Sequence, residues 1–141
     1  MSTAIDSNVI TALWYEDDAL NQPAMQALNA AYAKGDLTIA APVYAELLAG
    51  PDASESKLDA FLSDAEITVD WKLPETMWRA AGLAFHTYRN RRRLSSASST
   101  PRRVLADFLI GAHALINGHA LLTLDKRLYK SAFPGLKILT F

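Results

Sequence analysis

The stretch that decides the fold is Val104-Leu105-Ala106-Asp107-Phe108-Leu109-Ile110-Gly111-Ala112-His113-Ala114-Leu115-Ile116-Asn117-Gly118-His119-Ala120-Leu121-Leu122-Thr123-Leu124-Asp125. Its first thirteen residues carry an apolar face through Leu105, Phe108/Leu109, Ala112 and Ile116 and predict a helix. Asn117-Gly118 stops it. Ala120 to Leu124 is a short apolar run ending on Asp125 and predicts a strand buried on both faces. The same alternation recurs upstream. Thr3-Ala4-Ile5 reads as a strand ending at Asp6, and a helix follows through Val9, Leu13 and Trp14. Asn21-Gln22-Pro23 opens a second helix with Met25, Leu28 and Tyr32 on its apolar face, stopped at Gly35. Leu37 to Ala41 is a second strand, and Pro42 starts a helix over Val43 to Leu48. Ser54 to Asp64 predicts a helix, and Glu66 to Trp71 a third strand rich in β-branched residues. A long helix begins at Pro74 with a stripe of Met77/Trp78, Ala81, Phe85 and Tyr88. A short helix after Asp125 reaches Ala132, and Lys137 to Leu139 is the last strand. Strands separated by helices predict an α/β protein with a mainly parallel sheet.

The length of 141 residues suits one domain over 1–141. The chain is 50% hydrophobic and 21% charged, which excludes a disordered chain. It has no cysteine, so thiolate metal sites and cysteine nucleophiles are excluded. The N-terminal residues have no basic region of a secretory signal, and no apolar run suits a membrane helix, so a cytoplasmic protein with no membrane partner is expected. The net charge of −1 conceals a division. Residues 1–71 hold twelve acids and two bases, a net −10, whereas residues 72–141 hold twelve bases and three acids, a net +9.

Four acids stand in unusual surroundings. Asp6 and Asp125 each close a strand, and ligand sites of open parallel sheets lie at the carboxyl ends of strands. Asp107 is the single charge between Arg103 and His113. It falls in the first turn of its helix, on a face shared with the small residues Gly111 and Ala114, which points to close packing or a crevice wall. Glu46 lies one turn inside the helix that starts at the same rim. Each has a plainer reading: Asp6 and Asp125 as caps or turn residues, and Glu46 as a surface helix charge. Together, several carboxylates in one cleft repel each other unless a divalent cation relieves them. All-oxygen donors suit Mg²⁺ or Mn²⁺, metals that activate water in phosphodiester hydrolysis. Arg89, Arg91, Arg92, Arg93, Arg102 and Arg103, with no acid among them, are candidate RNA contacts or simply a solvated basic loop around a serine-rich stretch at 94–101. His86, His113 and His119 show no ligand spacing and read as structural. Trp14, Trp71 and Trp78 read as core rather than stacking platforms, with Tyr15 and Tyr44 as exceptions near the site. No phosphate-binding glycine loop or nucleophile elbow is present.

The chain resembles the PIN-domain ribonucleases, and most closely the VapC-type toxins of type II toxin–antitoxin pairs. The residues that carry the resemblance are Ile5-Asp6-Ser7-Asn8, Tyr44-Ala45-Glu46-Leu47-Leu48-Ala49-Gly50, Ala106-Asp107-Phe108-Leu109-Ile110-Gly111-Ala112-His113-Ala114 and Leu122-Thr123-Leu124-Asp125, with Phe133-Pro134-Gly135-Leu136-Lys137-Ile138-Leu139 as a familiar ending. The resemblance implies a three-layer α/β/α sandwich. It implies Mg²⁺- or Mn²⁺-dependent RNA cleavage, with Asp6, Glu46, Asp107 and Asp125 as catalytic and metal-binding residues. Ser7, Asn8 and Thr123 would support them or position water. It further implies a homodimer, inhibition by a VapB-like antitoxin, and contact with operator DNA only through that antitoxin. Gly111 stands where many relatives carry alanine. A rival from another class is a non-catalytic module whose acidic crevice receives a basic peptide. A receiver-type phosphoacceptor fits poorly, because Asp6 is followed by Ser7-Asn8 rather than a second acid.

Overall fold

A computed structural model describes residues 1–94 and 104–141. The chain runs β1 (Thr3–Ile5), α1 (Ser7–Trp14), α2 (Asn21–Lys34), β2 (Leu37–Ala40), α3 (Ala41–Leu48), α4 (Glu55–Asp64), β3 (Ile67–Asp70), α5 (Glu75–Leu94), α6 (Leu105–Ile116), β4 (Ala120–Leu122), α7 (Lys126–Ala132) and β5 (Ile138–Leu139). The five strands form one sheet in the order β3-β2-β1-β4-β5. Every neighbouring pair is parallel. With the helices around it, the sheet makes the expected α/β/α sandwich. Each crossover returns the chain to the same end of the strands, which is what parallel pairing requires.

The order matters for function. From β1 the chain steps outward to β2 and β3, then returns to β4 on the other side of β1. The connections leaving β1 and β4 therefore part in opposite directions, and a crevice opens between them at the carboxyl ends. The three central strands are buried at every position: Thr3–Ile5, Leu37–Ala40 and Ala120–Leu122. Their continuous apolar character follows from having helices on both faces. The edge strands β3 and β5 are only partly covered. Residues Phe108 to Ala114 of α6 are all buried, so this helix is hydrophobic around its circumference. Its ends emerge from the layer, leaving Leu105 and Ile116 exposed although both belong to the expected apolar face.

Two further expectations change. The packed face of α2 is Ala24 and Ala31, while Met25 and Tyr32 are exposed. Asn21 explains the rotation. Its buried amide donates to the carbonyls of Ala12 and Leu13 at 3.2 and 3.0 Å, so it draws α2 against the end of α1. Alanines one heptad apart permit that close approach, and residues one position further along turn about 100° away. The tryptophans also differ. Trp71 is 62% exposed and Trp78 is 45% exposed. Met77 takes the core position on α5, and the neighbouring Trp78 instead donates its indole N–H to the Leu73 carbonyl at 3.0 Å. Only Trp14 is partly buried, packed edge-on against Phe61. Among the described residues, no helix is long and apolar enough to cross a membrane.

Candidate active site

Asp6 follows β1 directly, at the mouth of the crevice between β1 and β4, and is 5% exposed. Its own N–H donates to the Leu122 carbonyl at 2.9 Å, which pins its backbone to β4. One carboxylate oxygen, Oδ1, accepts the Ser7 N–H at 2.8 Å. The other, Oδ2, accepts the Thr123 hydroxyl at 2.8 Å. Asp6 is therefore a helix cap, as the plainer reading holds. It is also a buried acid with both oxygens oriented by donors from two different strands' ends.

Thr123 shows why β4 stops at Leu122, two residues earlier than expected. Its N–H still reaches the Leu139 carbonyl at 3.1 Å, but its side chain turns inward and is fully buried. The Thr123 Oγ1 donates to Asp6 and accepts the Asp125 N–H at 2.9 Å. One hydroxyl thus couples Asp6 to the backbone that carries Asp125. Asn8 completes the seam by accepting the Leu124 N–H at 3.2 Å. Asp125 occupies the cap position of α7, yet its carboxylate makes no capping bond there. A simple capping role does not account for it.

Glu46 and Asp107 come from α3 and α6. Ser7 lies between the first of these and Asp6, with its hydroxyl 3.0 Å from Glu46 Oε1 and 3.5 Å from Asp6 Oδ1. A hydroxyl has one proton to give, and the shorter contact identifies Glu46 as the acceptor. Asp107 is half-buried in the first turn of α6, where its Oδ2 lies 3.4 Å from the Val104 N–H. That position favours a carboxylate at the positive end of the helix dipole. The small face behind Asp107 is tightly packed: a Cβ built on Gly111 would stand 2.2 Å from the Phe133 ring.

Electrostatics link Asp6, Glu46 and Asp107. Burial raises the Asp6 pKa above 3.8 against the opposing hydrogen bonds, and Asp107 adds repulsion. Burial likewise raises that of Glu46, with Asp6 and Asp107 contributing repulsion, although Glu46 remains exposed as a whole residue. Tyr129, on α7, is 1% exposed and feels three of the four acids. Burial pushes its phenol far up, and Asp6, Asp107 and Asp125 push the same way. This tyrosine is absent from the sequence expectations. Its position four residues after Asp125, one turn along α7, was the available signal.

The donor chemistry suits a hard divalent cation: carboxylate oxygens only, held where mutual repulsion disfavours their joint ionisation. Among the described residues, however, no three acids or histidines are gathered closely enough to form a ready cation cage. The fit is one of donor type and location. It suits an ion such as Mg²⁺, which retains waters and needs few direct protein ligands.

The arginines separate. Arg91 donates to the Ser131 hydroxyl at 2.6 Å, and Arg89 lies over the Phe85 ring at 5.8 Å. Arg92 is partly buried and Arg93 is exposed near the end of α5. Arg102 and Arg103, with the rest of the serine-rich loop after Leu94, lie outside the described residues.

Trp71 was also missed as a surface feature. It stands one residue beyond β3, braced edge-on by Tyr44 with ring centroids 5.0 Å apart. The histidines make hydrogen bonds outside the four acids: His86 with Asn90 and His119 with Ser2. His113 is fully buried and pairs through Nε2 with Asp70 at 3.0 Å, while its Nδ1 has no hydrogen-bond partner among the described residues. Burial opposes ionisation of Asp70, but the Lys72 N–H and His113 outweigh it and hold the carboxyl below 3.8. A folded pKa below the unfolded one gives stability that is complete above the ordinary value and is lost as pH falls through the folded pKa. Asp70→Ala should therefore cost about 2 kcal/mol at neutral pH by stranding a buried imidazole nitrogen. Urea unfolding should show that deficit narrowing as the pH is taken below 3.8. An equal deficit at every pH would remove the Asp70 carboxylate's contact with His113 as its cause.

The family model for the PIN domain matches residues 3–134. No curated protein matches the sequence. Several solved structures share the fold across nearly the whole chain. VapBC-1 of nontypeable Haemophilus influenzae aligns with a TM-score of 0.73 at 19% identity, covering 99% of this chain and 98% of that one. VapBC2 of Rickettsia felis, solved bound to a DNA fragment from its promoter, aligns at 0.69 with 20% identity and the same coverage. FitAcB of Neisseria gonorrhoeae aligns at 0.66 with 16% identity, covering 97% and 96%.

Proposed function

The chain belongs to the PIN domain family, and from that premise we propose that it is a metal-dependent endoribonuclease, the toxin of a VapC-type toxin–antitoxin pair. The observation that carries the reading is the mutual influence of Asp6, Glu46 and Asp107 near the sheet's switch point, where Asp107 raises the proton affinity of Asp6 and both raise that of Glu46. A structural role would gain nothing from setting acids against one another at partly dry positions. A site for a cation gains directly from it.

In this reading Asp6, Glu46, Asp107 and Asp125 hold Mg²⁺ or Mn²⁺. The ion supplies an activated water and neutralises charge on the phosphate. Thr123 and the Ser7 N–H aim the two Asp6 oxygens, and the Ser7 hydroxyl steadies Glu46. Asn8 holds the chain leading to Asp125. RNA is the substrate, and Arg93, exposed near the end of α5, is a candidate contact to its phosphates. The similar VapBC structures, one of them solved with a DNA fragment from its promoter, support a VapB-like antitoxin as partner, with operator DNA reached through it. Homodimerisation and a cytoplasmic site of action belong to the same reading.

The test uses the purified chain free of any partner. Cleavage of cellular RNA should appear with Mn²⁺, disappear in excess EDTA and return when Mn²⁺ is restored. Cleavage that persists in EDTA would refute the metal. A folded chain that cuts no RNA offered with Mn²⁺ would leave the rival reading, a binding module for a basic peptide. The open spacing of the acids is the observation that favours this rival.

A further inference from the structure

Tyr129 is the one site element that the proposed reaction leaves unexplained. It comes from α7, and at 1% exposure it is among the largest fully buried side chains. Its ring belongs to the hydrophobic core, but among the described residues its hydroxyl makes no hydrogen bond of normal geometry. That hydroxyl lies close enough to feel Asp6, Asp107 and Asp125, and among these Asp6 acts most strongly. It influences Asp6 in return, favouring the carboxylate. The contact falls short of a hydrogen bond of normal geometry. A phenol so placed is at a disadvantage, because burying a hydroxyl without a partner is unfavourable and a phenylalanine would fill the same space.

We propose that Tyr129 is a positioning residue whose hydroxyl donates to Asp6 when the carboxylates draw together around a divalent cation. Asp6 already takes one donor on each oxygen, from Ser7 and from Thr123. A carboxylate oxygen can accept more than one hydrogen bond, so a third donor can enter without displacing either. The donor must be neutral, since a cationic side chain would compete with the metal for Asp6. A tyrosine hydroxyl is neutral at physiological pH and has one proton to donate. Its ring, buried in the hydrophobic core, brings the proton to a defined place. The inference rests on the metal-dependent reading above and adds a residue to the support of that site.

The proposal makes two effects of Tyr129→Phe run in opposite directions. Without metal, removing an unpartnered hydroxyl should leave the melting temperature unchanged or raise it. With metal, losing a hydrogen bond to a charged ligand should weaken Mn²⁺ binding by roughly tenfold. Thermal melts in EDTA give the first measure. Loss of the free-Mn²⁺ electron paramagnetic resonance signal on titration gives the second, independently of RNA cleavage. Wild-type affinity in Tyr129→Phe would overturn the role. So would a clear drop in the metal-free melting temperature, which would make the hydroxyl an ordinary structural group. A folded wild type that binds no Mn²⁺ would remove the metal reading, and the Tyr129 role with it. Binding by wild type and variant alike would remove the Tyr129 role alone.

Discussion

Asp6→Asn is expected to lower RNA cleavage by about 10³-fold or more, the scale on which removal of a central catalytic group acts, while the chain stays folded. Such a loss corresponds to about 4 kcal/mol of transition-state stabilisation. The substitution keeps the side chain's shape and one acceptor oxygen for the Ser7 N–H. It alters the Thr123 contact, because Thr123 Oγ1 already accepts from the Asp125 N–H. Against that loss stands a gain. Asp6 is a buried acid repelled by Asp107, and a neutral amide escapes both penalties. The two effects offset, so thermal melts of variant and wild type should nearly coincide. Asp107→Asn should act in the same direction on cleavage. Rates of fragment release, measured beside those melts, decide the matter. An Asp6→Asn protein that cleaves within tenfold of wild type would rule out a direct role for this carboxylate.

Gly111→Ala should destabilise the fold by about 2 kcal/mol, at the level of overpacking in a close-packed core. The added Cβ would stand 2.2 and 2.5 Å from two atoms of the Phe133 ring, closer than carbon atoms can approach. Neither side can yield cheaply. Gly111 lies in the buried middle of α6, and Phe133 is 4% exposed at the end of α7. Asp107 sits one turn before Gly111, and Asp125 precedes α7, so pushing the helices apart would also separate two of the acids. Phe133→Leu should restore part of the loss when combined with Gly111→Ala, although alone it should leave a cavity and cost stability. Urea melts of the two single variants and the double variant close the cycle. Strictly additive losses would show that the ring contact is not the cause. The resemblance to relatives with alanine here gave no hint of this cost. The residue opposite position 111 is decided by the packing of α7, which local sequence does not reveal.

Much of the fold was legible because its determinants are local. The apolar runs at Thr3–Ile5, Leu37–Ala40 and Ala120–Leu122 carry no polar alternation, and that alone marks strands covered on both faces. Glycine and proline placed the breaks between elements within a residue or two. Errors arose where a helix had two plausible apolar faces. Met25 and Tyr32 outweigh Ala24 and Ala31 in hydrophobicity, but close packing through Asn21 selected the small face. Trp71 and Trp78 were misjudged for a similar reason. Burial depends on which side of an edge strand or helix meets the core, and a large apolar side chain does not choose that side alone.

Composition, periodicity and motif order by themselves determined an α/β chain with a parallel sheet and marked Asp6, Glu46, Asp107 and Asp125 as acids out of place. They also showed a chain divided into a −10 half and a +9 half. Only the tertiary structure decided what these features do together. The return of β4 to the side of β1 brings residues from both halves to one crevice, because the crossover from β3 passes over two strands. That closure sets the Thr123 hydroxyl on Asp6 across 117 positions of sequence and buries the Tyr129 hydroxyl where it feels three of the acids. Such contacts are invisible to local pattern because their energy comes from desolvation and charge, and both depend on the neighbours that folding supplies.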